Sequence, residues 1–405
     1  MVPGRGRIIG ANSKGVNAGM IAARFRVARP EDAGVDSEKL EAVFARAKRD
    51  VDGGVLPSAQ VAVARNGKIA GLRTFGNAVQ GGAEKPANDE TLYCVFSCTK
   101  VIVAAATWLL FEEGLLKLDE RVADTVPEFG TNGKDVITVE QLMLHIGGFP
   151  YAPFRTADWD SREKLLEAFG RWRLNWEPGT QYEYHATSAH WVLSEIIFRR
   201  TGRDFRDVIR ERITGPMGLD ELFVGLPADY DPRVAEVGFF GEITEPPGGW
   251  GEVTPDAILS FNGPMGRRVG IPGGGGVTGA GELAMFYQTL INGGETHEGK
   301  RILKRETIEF ATTVRNRLPD RIFNIPANRG LSIIVAGDDG NAFARGFGRV
   351  ASPRAIGHGG AGGQIAWGDP ETGISVGYCT NGFTDWMTSA RRITAIGSLA
   401  AGCAA

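Results

Sequence analysis

A disulfide framework is the first thing this sequence lacks. Four cysteines, at positions 94, 98, 379 and 403, are spread over 405 residues. So few in so long a chain do not staple a fold, and a bridge between Cys94 and Cys98 within one short segment is disfavoured, so all four read as reduced thiols. A membrane-spanning run is missing as well. The longest largely apolar stretch, Val101 to Phe111 with only Thr107 interrupting, has 11 residues, against the roughly 20 that a spanning helix needs. The amino-terminal MVPGRGRIIGANSKGVNAGMIAARFR offers no continuous apolar segment of the kind a secretion signal carries. Charge of one sign is not in surplus: the net charge is −3 and Lys and Arg are dispersed, so neither a nucleic acid nor a membrane surface is implied as a partner. Histidine is scarce, with five in the chain. His185 and His190 would face differently on a helix and no His-Glu-x-x-His occurs, so no metal, and no other cofactor, is expected. These absences together lead to the expectation of a soluble, cytoplasmic protein.

Glycine is what the chain has in excess. Its 57 glycines are about twice the usual share, which implies many loops and close backbone approaches. Residues 1–24 read as a flexible arm. DSEKLEAVFARAKRDVDGG (36–54) places apolar residues at 40, 43, 44 and 47 behind Asp36 or Ser37 as cap, an amphipathic helix. AQVAVARNGKIAGLRTFG (59–76) reads as a hairpin turning at Asn66-Gly67. Helical patterns dominate from about 115 to 320, at 138–146, 161–172, 188–202 and 280–293. Strands return after about 330, and a helix at 385–400 closes the chain. The expectation is an α+β fold: an antiparallel sheet built from both chain ends and flanked by terminal helices, with a large, mostly helical insertion. The sheet part would comprise 25–85 with 325–405 and the helical part 86–324, with the active site at the seam.

One stretch carries chemistry. CVFSCTKVIVAAATWLLFEEG (94–114) runs from a short extended piece into a helix apolar on nearly every face, and such a helix is buried. At its mouth Ser97 and Lys100 stand three residues apart, on one face. A serine in the first turn has a free backbone N–H for an oxyanion, and the helix's positive end together with burial lowers a lysine's proton affinity. A neutral amine is a base for a serine hydroxyl. Ser161 and Lys164 repeat the spacing on an exposed, charged helix, a control without an apolar surround. Tyr184, in EPGTQYEYHATSAHW (177–191), and the glycine-dense GHGGAGGQIAWGDP (357–370) would supply a second proton carrier and a close backbone approach, although each alone reads first as a core residue and as a bulge or tight turn.

Taken in order, these three stretches resemble the serine β-lactamase and penicillin-binding-protein superfamily, in its class C-like branch with the family VIII carboxylesterases. Ser97-x-x-Lys100 matches the first motif, Tyr184 the tyrosine of the second, and His358-Gly359-Gly360 occupies the place of the third, Lys-Thr-Gly. The resemblance spans about residues 25–400. It implies Ser97 as the acylated nucleophile, Lys100 and Tyr184 sharing the proton work, the backbone N–H groups of Ser97 and Ala361 as oxyanion hole, and His358, Gly359 and Gly360 lining the substrate site, with no metal. Two departures bear on substrate. Ala186 stands where the second motif normally has asparagine, so the amide that holds an acylamino group is missing. His358 replaces a lysine and is mostly neutral at pH 7. Both point to a small-molecule ester as substrate. A lactamase, amidase or peptidase, an acyltransferase and a catalytically silent scaffold are the alternatives.

Other matches are weighed and set aside. Gly373-Ile-Ser375-Val-Gly377 fits a nucleophile-elbow pattern but lies inside a strand with no histidine after it. The G-x-G-x-x-G matches at 274–279 and 357–362 read as pocket wall rather than nucleotide sites. His145 reads as a structural histidine. Phe149, Tyr151, Phe154, Trp172 and Trp176 read either as the wall of an acyl pocket or as core.

Overall fold

The computed structural model describes residues 24–79 and 84–405; apart from Arg24, the expected arm lies outside them. The first helix, α1 (Ser37–Asp52), starts where Asp36 accepts a hydrogen bond from the Lys39 N–H (3.0 Å), and it buries Leu40, Val43, Phe44 and Ala47, the residues its spacing predicts. Strands β1 (Ser58–Arg65) and β2 (Lys68–Val79) follow. Asn66 and Gly67 between them have φ of 53° and 69°, the two left-handed positions that a two-residue hairpin turn requires.

After β3 (Lys85–Pro86) comes β4 (Tyr93–Phe96), leading into α2 (Thr99–Glu112), in which every residue from Thr99 to Leu110 is buried. The central region adds α3 (Ser188–Thr201), the short strands β5 (Phe223–Val224), β6 (Gly238–Phe239) and β7 (Gly276–Thr278), and α4 (Ala280–Ile291). The chain then returns through β8 (Arg329–Gly330), β9 (Ile333–Val335), β10 (Ile356–Gly360), β11 (Gln364–Gly368), β12 (Ser375–Thr380) and β13 (Gly382–Phe383) to α5 (Trp386–Ala401).

Eight strands form one sheet in the order β3-β2-β1-β12-β11-β10-β9-β8, with every neighbouring pair antiparallel. The sheet is thus assembled from both chain ends, joined where β1 pairs with β12. Along β1 the period-two alternation sorts the faces: Ala59, Val61 and Val63 pack with α1 and α5, while Ala62 and Ala64 belong to the larger core that contains α2 and α4. Both faces are covered, which is why β1 is buried from Ser58 to Ala64 rather than alternating with polar residues. The start of α4 is fixed on the sheet by the Gln60 side chain, which accepts from the Ala280 N–H (2.6 Å). Among the described residues, no helix is long and apolar enough to cross a membrane.

Candidate active site

Phe96 ends β4 with φ of 44°, a left-handed conformation that costs a residue of its size about 1–3 kcal/mol and persists only where the surroundings hold it. They do: its ring packs edge-on against Phe261 and Phe383, each at 5.2 Å. This sharp turn sets Ser97 at the junction of strand and helix. Ser97 lies one residue before the cap of α2, Cys98, rather than in the first helical turn. Its carbonyl accepts from the Lys100 N–H (3.1 Å), and among the described residues its own N–H meets no backbone acceptor.

Ser97 is partly exposed, whereas Lys100 behind it is fully buried. Lys100 Nζ donates to the Gly273 carbonyl (2.5 Å) and the Ala186 carbonyl (2.7 Å), and lies 3.2 Å from Ser97 Oγ. A neutral amine has two N–H bonds. In that form both would go to these carbonyls, which would leave its lone pair for the serine hydroxyl. Burial, and next the charge of Arg329, push the Lys100 pKa well below that of a free lysine, while Glu252 works weakly the other way.

Tyr184 stands across from this pair. Its ring lies 4.9 Å from Lys100 Nζ and, among the described residues, its hydroxyl has no hydrogen-bond partner. Burial raises the phenol's pKa, and the neighbouring Ser97 side chain offsets part of that rise without completing a bond. His358, on β10, is buried with its ring centroid 5.8 Å from that of Tyr184. Its Nδ1–H donates to the Gly359 carbonyl (2.6 Å), and its Nε2 accepts from Arg329 Nη1 (3.2 Å). That pattern requires a neutral ring, and burial with the Arg329 charge holds its pKa well below the ordinary value. Gly359, Gly360 and Ala361 are partly exposed at the end of β10. The strand is drawn against the start of α2: Cys98 Sγ donates to the His358 carbonyl (3.3 Å), and a Cβ on Gly360 would fall 2.4 Å from the Val95 carbonyl. Ser97, Lys100, Tyr184 and the 358–361 segment are therefore neighbours.

Two residues of this site went unseen in the sequence. Arg329, on β8, is buried and donates through Nε to Tyr182 Oη (3.0 Å), with its guanidinium 5.2 Å from the Tyr184 ring. Among the described residues it makes side-chain hydrogen bonds to neutral groups only, so a fixed cation stands where His358 had suggested none. Glu252 lies in the irregular loop that follows β6. Its carboxylate accepts from the Ala152 N–H (3.1 Å), the Thr187 N–H (3.1 Å) and Thr187 Oγ1 (2.6 Å). Thr187 adjoins Ala186, whose carbonyl anchors Lys100. Burial pushes the Glu252 pKa up to about 7.

The decoys resolve into structure. Ser161 caps its helix by accepting from the Lys164 N–H (3.2 Å), while Lys164 Nζ reaches Glu167. Ser375 is buried in β12 between the Ala284 carbonyl and Gln288. His145 has φ of 58° and accepts from the His185 N–H (3.2 Å). Phe149 and Trp172 stack in the core, whereas Tyr151 is exposed. Among the described residues no cluster of three or more His, Cys, Asp or Glu has the arrangement of a metal site.

Known proteins share this arrangement of chain. The profile of the family described as Beta-lactamase matches residues 43–401. Over 315 residues the chain is 33% identical to Esterase/beta-lactamase LipL of Mycobacterium tuberculosis (strain ATCC 25618 / H37Rv), covering 71% of this chain and 68% of that one. The crystal structure of a penicillin-binding protein homolog from Caulobacter crescentus matches with a TM-score of 0.76 at 28% identity, over 91% of this chain and 98% of the other. That of a family VIII carboxylesterase matches with a TM-score of 0.73 at 26% identity, over 90% and 98%.

Proposed function

The chain belongs to the beta-lactamase family of serine hydrolases, and from that premise we propose that it cleaves small carboxylic esters through an acyl-enzyme on Ser97. The observation that carries this reading is the Lys100 amine, with two carbonyls on its N–H bonds and Ser97 Oγ at 3.2 Å. Neutral Lys100 takes the Ser97 proton as Oγ attacks the ester carbonyl. The oxyanion is received by the N–H groups of Ser97 and Ala361. Tyr184, whose raised pKa keeps it protonated, donates to the departing alkoxide. Water then enters: the Tyr184 phenolate takes its proton as the water oxygen attacks the acyl carbon, and Lys100 returns its proton to Ser97 Oγ as the acid is released, which restores both groups; an alcohol in place of water would give acyl transfer.

Esters are favoured by the relatives named esterases, by Ala186 in place of an acylamino-binding amide, and by the neutral state of His358. Arg329 favours a second reading. A buried cation hydrogen-bonded, among the described residues, to neutral side chains would attract the carboxylate of a lactam or peptide. The division into a sheet part (25–85 with 325–405) and a helical part (86–324) belongs to this reading, as does residence in the cytoplasm, supported by four free, buried cysteines. Turnover of p-nitrophenyl butyrate and of a chromogenic cephalosporin, by wild type and by Ser97→Ala, tests it. Ester cleavage that falls by about 10³-fold or more in the variant, with little lactam cleavage, is expected. Lactam turnover exceeding ester turnover would favour the second reading, and ester activity surviving in Ser97→Ala would end both.

A further inference from the structure

The closing helix α5 sends one cation into the interior. Arg392 is fully buried, and among the described residues its Nε and Nη1 have no hydrogen-bond partner. Its Nη2 donates to a single acceptor, the Gly362 carbonyl (3.1 Å). Among the described residues none of its nitrogens is hydrogen-bonded to a carboxylate. A buried guanidinium with so few hydrogen bonds is costly, so its placement asks what the charge and the one hydrogen bond accomplish.

They converge on the turn that follows the third motif. Ala361–Gly363 forms one tight turn between β10 and β11, with Gly362 at φ 80° and Gly363 at φ 95°. Two consecutive left-handed glycines make a soft hinge, and the turn is braced from outside. A Cβ at Gly362 would meet the Phe383 ring at 2.8 Å, and one at Gly363 would meet Arg392 Nη2 at 2.7 Å and Ser389 Oγ at 2.8 Å. Phe383 is also packed on Phe96, the residue before Ser97. The aromatic contact therefore ties the turn to the nucleophile from one side, and α5 holds it from another.

We propose that Arg392 is a positioning residue for the oxyanion hole: by gripping the Gly362 carbonyl it keeps the Ala361 N–H in place beside that of Ser97, and it lends its positive charge to the same turn. This rests on the reading of Ala361 as the second oxyanion donor. A donor displaced by a fraction of an ångström loses much of its worth to a developing oxyanion, and a charge in a water-poor interior acts there with little screening. Arg392 touches no reacting atom, so its removal lowers kcat more than it changes KM.

The test compares p-nitrophenyl butyrate with its thionoester, in which C=S replaces C=O and the sulfur is a poor hydrogen-bond acceptor. In wild type the oxo ester is expected to be preferred by about 10²-fold in kcat/KM, the range seen when an oxyanion donor is lost. In Arg392→Met, with folding checked by circular dichroism, kcat on the oxo ester falls about 10- to 100-fold with KM nearly unchanged, and the oxo-to-thiono preference shrinks by about tenfold. Arg392→Lys recovers part of both. A wild-type preference near one means that the hole reading is wrong and this proposal falls with it, while Ser97→Ala still abolishes turnover. A wild-type preference of the expected size that is unchanged in Arg392→Met, whether or not the rate falls, overturns the proposal alone. If Arg392→Met does not fold, Arg392→Gln, uncharged and of similar reach, is read by the same criteria.

Discussion

Lys100 can act as a base only if its proton leaves at working pH, and the field around it works in that direction. Arg329 is the second cause of its lowered pKa, after burial. Replacing Arg329 by Gln removes a positive charge that disfavours the ammonium, so Lys100 holds its proton to higher pH. The acid limb of kcat/KM against pH therefore moves upward in Arg329→Gln. A limb that stays in place would assign the base to another group. At this scale the sequence was legible where partners are close along the chain. Ser97 and Lys100 meet because three residues bring them to one side of a helix start, and Ser161–Lys164 could be set aside by the charges of its own helix. Arg329 was not legible, since it meets Tyr182 across 147 residues of chain and nothing in its neighbourhood marks a strand end as a pocket. Glu252 was hidden for the same reason, in a glycine-rich loop without periodicity.

The elements that matter most are the turn from β4 into α2 and the end of β10 pressed against it. Gly360 has an ordinary extended backbone, φ −119°, so its glycine is explained by space and not by conformation: a side chain would strike the Val95 carbonyl. Gly360→Ala should push β10 away from the Ser97 turn and lower kcat by about 10- to 100-fold, as a misplacement near 1 Å does, with a smaller change in KM. An unchanged kcat in a folded variant would show that the β10 end takes no part in catalysis. Regular elements were read well from their periodicity. The helix expected over 138–146 is shorter, Val139–Met143, because Leu144 caps it and His145 turns left-handed. The spacing of apolar residues could not show that reversal, since it continues unbroken through the site of the turn.

At the scale of the whole molecule, α2 is the hub of the larger core: its residues share it with β4, β7, α3 and α4 and with the larger sheet. Trp108, fully buried in α2, donates its indole N–H to the Leu331 carbonyl between β8 and β9 (3.2 Å). Trp108→Ala should destabilise the protein by about 3–5 kcal/mol, read by urea denaturation. Activity and tertiary signal should be lost together, because the strand end that carries Arg329 leaves with the same contact; activity outlasting the tertiary signal would contradict this. The joining of the chain ends in one sheet was legible from strands at both ends with helices between, whereas the sorting of aromatics was not. Phe149 and Trp172 went to the core, and the rings packed on Phe96, the residue before Ser97, are Phe261 and Phe383, from distant segments of the chain. The claim on which everything here turns is that Ser97 becomes covalently acylated. Labelling with a fluorophosphonate, followed by peptide mass spectrometry and residual turnover of p-nitrophenyl butyrate, tests it directly. One adduct on the Ser97 peptide, with turnover lost in proportion to labelling, is predicted. Full turnover in the labelled protein, or an adduct that persists in Ser97→Ala, would contradict it.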